Sequence, residues 1–212
     1  MREGDRVTLC DGKGTDYSSR ILRITKDATY LEVTDVRPSE SEMPIRVTLF
    51  QALPKGEKVD YVIQKAVECG VFAIDFFESD RSVARIDRTD ADRKLARFRR
   101  ISESASKQSG RGIIPEIGFL SFEEALKKAE KTSSFICHVS EGVLSLQAFA
   151  EKNREKKEFS FFVGPEGGFS PEEVAEAAKH GILPVSLGRR VLRSETAPHF
   201  ILACLAYAFE KF

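Results

Sequence analysis

The sequence predicts a two-part α/β protein, a small all-β module followed by a larger domain on a largely parallel sheet. Three observations carry this. Residues 5–36 hold short β-branched runs separated by turn signals. Residues 45–212 alternate strand-length apolar runs with amphipathic helical stretches, the order that builds a parallel sheet with helical crossovers. A glycine-rich turn, Gly164-Pro165-Glu166-Gly167-Gly168, sits where a strand passes into a helix, the end of an open α/β sheet at which ligands bind. The 212 residues fit one large domain or a small domain joined to a medium one, at about 100–200 residues per domain.

In the β module, Val7-Thr8-Leu9-Cys10 reads as a strand and Asp11-Gly12-Lys13-Gly14 as a turn. Ile21 to Thr25 and Thr29 to Val33 are further strands, joined by Lys26-Asp27-Ala28. Polar, proline-flanked residues 37–44 make a linker. A strand over 47–50 follows. Residues 57–69 then place Val59, Val62, Ile63, Ala66 and Val67 on one helical stripe, and Gly70 stops the helix. Val71 to Phe77 is an apolar strand. Thr89 to Asp92 resembles a capping box for a helix running to about Ser106. Strands are expected over 113–117, 135–139, 159–163 and 183–187, and helices over 122–131 and 144–154.

Ser170-Pro171-Glu172-Glu173 is a complete helix start. Ser170 caps, Pro171 suits the first helical position, and Glu173 closes the capping box; such a cap contributes about 1 kcal/mol. Gly181 ends that helix. The last helix, about 197–211, is apolar on almost every side and is therefore expected to be buried, in the core or against a partner.

Composition excludes several classes. With 42% hydrophobic and 31% charged residues the chain can bury a core and stay in solution. No apolar run approaches the roughly 20 residues that span a bilayer, and Met1-Arg2-Glu3-Gly4-Asp5 does not open a signal peptide. Four cysteines, at 10, 69, 137 and 204, lie far apart without CxxC pairing, as reduced thiols of a cytoplasmic protein would. His138, His180 and His199 match no metal-ligand spacing, so no metal is expected. Net charge is zero but uneven: residues 81–111 carry ten basic side chains against four acidic ones. Clustered Lys and Arg suit a polyanion; charge alone favours a solvated helix face laced with ion pairs.

The glycine turn lacks the GK[ST] ending of a phosphate loop and the GxGxxG dinucleotide fingerprint. Alone it is either a tight turn or a close approach of backbone to a ligand. It continues as Phe169-Ser170-Pro171-Glu172-Glu173, and Ser186-Leu187-Gly188-Arg189-Arg190-Val191-Leu192-Arg193-Ser194-Glu195-Thr196-Ala197 follows nearer the C-terminus. Together these resemble the paired signatures of the RsmE family of 16S ribosomal RNA (uracil-N3)-methyltransferases, in the SPOUT superfamily. Lys55-Gly56-Glu57-Lys58 through Val71, Glu78-Ser79-Asp80-Arg81-Ser82-Val83, and Arg99-Arg100-Ile101 through Arg111 to Ile114-Pro115 extend the similarity over most of 45–205.

The resemblance implies a PUA-like RNA-binding β domain over 1–42, incomplete at its N-terminal end because family members begin with a further strand carrying an Arg-His element. It implies a SPOUT methyltransferase domain over 43–212 with a C-terminal trefoil knot, and a homodimer. S-adenosylmethionine would lie among loops after the strands ending near Val139, Val163 and Leu187. These loops carry His138, Val139, Val163, Gly164, Pro165, Gly167, Gly168, Leu187, Gly188, Val191, Leu192 and Thr196. Arg193 would stabilise charge on a uracil oxygen, helped by the N-terminus of the last helix; Glu195 or Glu166 would position or deprotonate N3. Arg193 and Glu195 could instead form a structural ion pair. Arg81, Arg85, Arg99, Gln108, Ser109 and Arg111 would contact small-subunit ribosomal RNA, free or in the assembled subunit. Cys69 replaces a usual Leu, and Pro198 stands in the first turn of the last helix, where proline is tolerated. The alternatives are another SPOUT RNA methyltransferase and a non-catalytic RNA-binding or assembly module.

Overall fold

The computed structural model describes residues 1–56, 58–85, 89–139 and 142–211. Glu57 of the family-like segment, and Asp87 and Arg88 of the basic block, lie outside them. The chain forms two compact units, one of Met1–Glu42 with Ser106–Ile114, the other of Met43–Ala105 with Pro115–Phe212.

The smaller unit is an antiparallel sheet, ordered β1 (Arg6–Cys10), β2 (Thr15–Ile24), β3 (Thr29–Pro38). Asp11 makes the first turn by accepting from the backbone N–H groups of Lys13 (2.7 Å) and Thr15 (3.1 Å). Gly12 and Gly14 supply the positive φ values of 71° and 101° that the turn requires. Residues 106–114 join this unit through Glu42, whose carboxylate accepts from the backbone N–H groups of Gly112 and Ile113, both at 3.0 Å. Ile113, expected to open a strand of the larger domain, instead bridges to Lys13, and that strand starts three residues later.

The larger unit holds β4 (Arg46–Ala52), α1 (Lys58–Glu68), β5 (Ala73–Phe77), α2 (Ala91–Ser109, its last turn in the smaller unit), β6 (Glu116–Phe119), α3 (Phe122–Ala129) and β7 (Ser133–Cys137). Then come β8 (Leu144–Ser145), α4 (Leu146–Lys152), β9 (Glu158–Val163), α5 (Pro171–Lys179), β10 (Leu183–Ser186) and α6 (Ala197–Phe209). The seven strands order as β6-β5-β4-β9-β7-β10-β8, and all pairings are parallel. Two boundaries move from expectation. α2 starts at Ala91, so Thr89 lies before the cap, and it runs three residues past Ser106. The start of the expected 144–154 helix is the two-residue strand β8, paired with β10; so short a segment has no period by which to recognise it.

Each central strand is apolar on both faces, as a parallel sheet covered on both sides requires. Leu49 and Phe161 face one layer with Val62 and Ile63 of α1 and Ile201 and Leu205 of α6. Their neighbours Phe50 and Phe162 face the other, with Leu126 of α3 and Ala177 of α5. Phe50 and Phe162 stack with ring centroids 4.6 Å apart. α6 is not buried all round. Ile201, Leu202 and Leu205 face the core, whereas Ala203 is exposed and Tyr207 is 83% exposed.

Candidate functional site

The C-terminal ends of β9, β7 and β10 are adjacent in the sheet, and the chain leaving them encloses a cleft of about 540 Å³. β9 delivers the glycine turn. Gly168 donates to the Pro165 carbonyl at 2.9 Å with φ of 67°. Phe169 is buried among Phe50, Phe77 and Phe162, so the turn is anchored by its own next residue. A Cβ on Gly164 would lie 3.2 Å from that ring and 3.3 Å from the Gly168 backbone; the turn closes on itself at a residue without a side chain.

The expected capping box is present. The Ser170 hydroxyl accepts from the Glu173 N–H (3.1 Å), and the Glu173 carboxylate accepts from the Ser170 N–H (2.7 Å). Glu173 does more than cap. Buried to 5% exposure, it also accepts from the Ser79 hydroxyl (3.1 Å) and the Asp80 N–H (3.0 Å). Ser170 donates to Asp80 at 2.9 Å, and Arg81 donates to the Gly167 carbonyl at 2.9 Å. The 79–81 loop is thus stitched to the glycine turn.

The β10–α6 loop forms the opposite wall. Gly188, with φ of 113°, donates to the Ser186 hydroxyl at 3.2 Å. Ser194 donates to the Gly164 carbonyl (3.0 Å) and accepts from Gln51 at the end of β4 (3.2 Å). A fully buried amide therefore sets the separation of the two walls. Lys58, the first residue of α1, reaches Glu166 and Glu195, both at 3.2 Å.

That cation and the backbone N–H groups of the two glutamates together set the electrostatics. The backbone N–H of Glu166 itself, then Lys58 and Lys55, hold the Glu166 carboxyl below its ordinary range. Burial pushes Glu195 up, but its own backbone N–H, Lys58 and Arg193 outweigh burial and carry it below the ordinary range. Glu195 and then Glu166 raise the Lys58 ammonium. All three groups are charged at neutral pH. Cys137, at the floor of the cleft, is pushed up by burial and stays a thiol.

Of the expected cofactor contacts, the structure places His138, Val139, Val163, Gly164, Pro165, Gly167, Gly168, Leu187, Gly188, Val191 and Leu192 on the cleft, with Glu166, Arg193 and Glu195. Thr196 is the exception: it is exposed, precedes α6, and has no side-chain capping bond. Arg193 and Glu195 make no direct ion pair among the described residues; Lys58 takes the carboxylate. The roles of Lys58, Gln51 and Ser194 were not assigned from sequence, because Lys58 meets Glu166 and Glu195 across 108 and 137 residues and Gln51 meets Ser194 across 143.

The residues expected on RNA fall in both units. Arg81, Arg85 and Arg99 are exposed in the larger one, Gln108 and Ser109 in the smaller. Arg111 departs from expectation. Its side chain is 4% exposed and bonded to Glu42, which makes it a buried structural cation instead of a phosphate contact. Part of the basic block does take the solvated-face form: Arg93 and Lys94 pair with Asp90, and Arg97 pairs with Asp60. Among the described residues, no helix is long and apolar enough to cross a membrane, and no group of three His, Cys, Asp or Glu could hold a metal.

The cleft suits S-adenosylmethionine: its volume takes a nucleoside-sized ligand, backbone groups of three loops line it, and carboxylates stand at its edge. Comparison with known proteins agrees with this geometry. Residues 41–206 match the RNA methyltransferase domain family. The ribosomal RNA small subunit methyltransferase E of Bacillus subtilis is 29% identical over 216 residues, spanning 99% of this chain and 84% of that protein. Its counterpart in Mycobacterium bovis is 33% identical over 217 residues, spanning 93% and 76%. The crystal structure of the Neisseria gonorrhoeae ribosomal RNA small subunit methyltransferase E bound to S-adenosylmethionine superposes with a TM-score of 0.85. It is 32% identical, over 99% of this chain and 85% of that one.

Proposed function

From a chain that belongs to the RNA methyltransferase family, and within it to the ribosomal RNA small subunit methyltransferases E, we propose an S-adenosylmethionine-dependent transfer of methyl to N3 of a uridine in small-subunit ribosomal RNA. The observation that carries it is the convergence of both signature segments on one cleft, with Glu166, Arg193 and Glu195 at its edge.

When bound, S-adenosylmethionine supplies a methyl group on a sulfonium centre, which departs as a neutral thioether. The chain's task is to present N3 in line and to remove its proton. Positioning falls to the backbone of the glycine turn and the 187–192 loop. Glu195 or Glu166, both ionised at neutral pH, positions N3 or takes its proton. Arg193 faces the uracil oxygen on which negative charge grows. Thr196 and Arg111 drop out of the assignment; Arg81, Arg85, Arg99, Gln108 and Ser109 remain the RNA contacts. The knot belongs to the same reading: the loops after β7, β9 and β10 would form a C-terminal trefoil. The three-stranded unit is read as a PUA-like RNA-binding module and the enzyme as a cytoplasmic homodimer; the two domains expected over 1–42 and 43–212 are kept, except that residues 106–114 go with the smaller.

Nucleoside mass spectrometry of small-subunit RNA, after incubation with the protein and methyl-labelled cofactor, tests this. Labelled 3-methyluridine is expected. Label in another nucleoside would assign a different RNA methyltransferase, and RNA binding without label would assign a non-catalytic module.

A further inference from the structure

We propose that Lys58 is a positioning residue of this site, tying Glu166 of the glycine turn to Glu195 before α6 so that both carboxylates face the cleft in one fixed arrangement. The inference rests on the methyl-transfer reading above and deepens it.

Lys58 is an unexpected residue for its place. It opens α1, and a helix N-terminus carries partial positive charge that disfavours a cation. Two carboxylates at 3.2 Å from its ammonium offset that penalty. The three groups come from α1, the β9–α5 turn and the β10–α6 loop. Stability accounts poorly for the Glu166 arm. The Lys58 side chain is 35% exposed and that of Glu166 41%, against 16% for Glu195, and exposed ion pairs contribute little to folding. What the cluster does fix is geometry, because Lys58, Glu166 and Glu195 all line the cleft. Without the ammonium, two like charges would face each other across its mouth and swing apart. Lys55 also acts on Glu166, and Arg193 on Glu195. Among the described residues, Lys58 is the cation bonded to both carboxylates.

The test uses the full chain. Methyl transfer to uridine N3 by the unmodified protein is measured first; its absence overturns the function above and this inference with it. With that activity in hand, Lys58→Gln is expected to lower kcat at least about tenfold, the smaller end of acid–base effects. KM for RNA and Kd for S-adenosylmethionine should stay within about twofold, and Lys58→Arg should recover most of the rate. Because Lys58 acts through the carboxylates, its loss should add less than about twofold in whichever of the Glu166→Gln and Glu195→Gln backgrounds is itself impaired. Unchanged kcat in Lys58→Gln overturns the proposal. So do a full additional loss in those backgrounds, unimpaired activity in both Gln variants, and a loss that appears only with weakened cofactor binding and without rescue by Arg.

Discussion

Gly167 shows how a single residue can separate folding from binding. A Cβ there would meet only Arg81, at 3.5 Å, an ordinary contact, and Gly167 is not among the glycines with positive φ. The fold therefore tolerates a side chain at this position, whereas a ligand lying on the turn would not. Gly167→Val should keep the melting temperature within a few degrees and weaken S-adenosylmethionine binding by about tenfold or more, the worth of roughly 1.4 kcal/mol. Calorimetry showing unchanged affinity would remove the turn from the cofactor site. Gly164 separates the two less well, since its Cβ would press on Phe169 and the turn itself at 3.2–3.3 Å.

Among the elements, the N-terminus of α5 does two jobs with one carboxylate. Glu173 closes the capping box and also holds the 79–80 loop through the Ser79 hydroxyl and the Asp80 N–H. Glu173→Ala would strand two buried donors, the Ser170 N–H and the Ser79 hydroxyl, and one part-buried one, the Asp80 N–H, at a cost of about 2–4 kcal/mol. Denaturation midpoints should fall accordingly. RNA and cofactor binding should weaken together, because Arg81 and the glycine turn lose their shared support. A midpoint within 0.5 kcal/mol of the unmodified protein would show that the loop holds itself. The basic block divides similarly by element. Charge reversal at Arg85 and Arg99, which are exposed and away from the cleft lining, should lower RNA affinity and reduce the salt slope by about one per lost phosphate contact. Cofactor affinity should stay unchanged. An unaltered slope would leave these residues as part of the solvated face. Arg111 does not belong in that test, because its reversal would place two acidic groups together with Glu42.

At the scale of the whole molecule, α6 carries the case for a dimer. Its apolar residues divide between a core stripe, including Leu205 at 0% exposure, and an outer face with Ala203 and Tyr207. A two-fold contact would cover the outer face. Leu205→Glu would put a charge into the core and report on folding, so it cannot probe association. Tyr207→Glu can: it should convert the proposed dimer to a monomer in light scattering while leaving the circular dichroism spectrum intact. A monomer in the unmodified protein across the micromolar range, with cofactor bound, would refute the dimer.

The sequence by itself determined the features that depend on near neighbours. Strand and helix alternation, the glycine turn and the Ser170–Glu173 capping box each form within a few residues, so periodicity and spacing expose them. The family signatures are local in the same sense, and they carry most of the cleft's lining. Tertiary structure decided the rest. Gln51, Ser194 and Gly164 meet from three segments, the first two 143 positions apart. Lys58 finds carboxylates 108 and 137 residues away. Arg111 turns inward to Glu42, 69 residues earlier, instead of outward to solvent. A side chain's partner across such distances is set by which loops the sheet order brings together, and no repeat or period in the chain encodes that order.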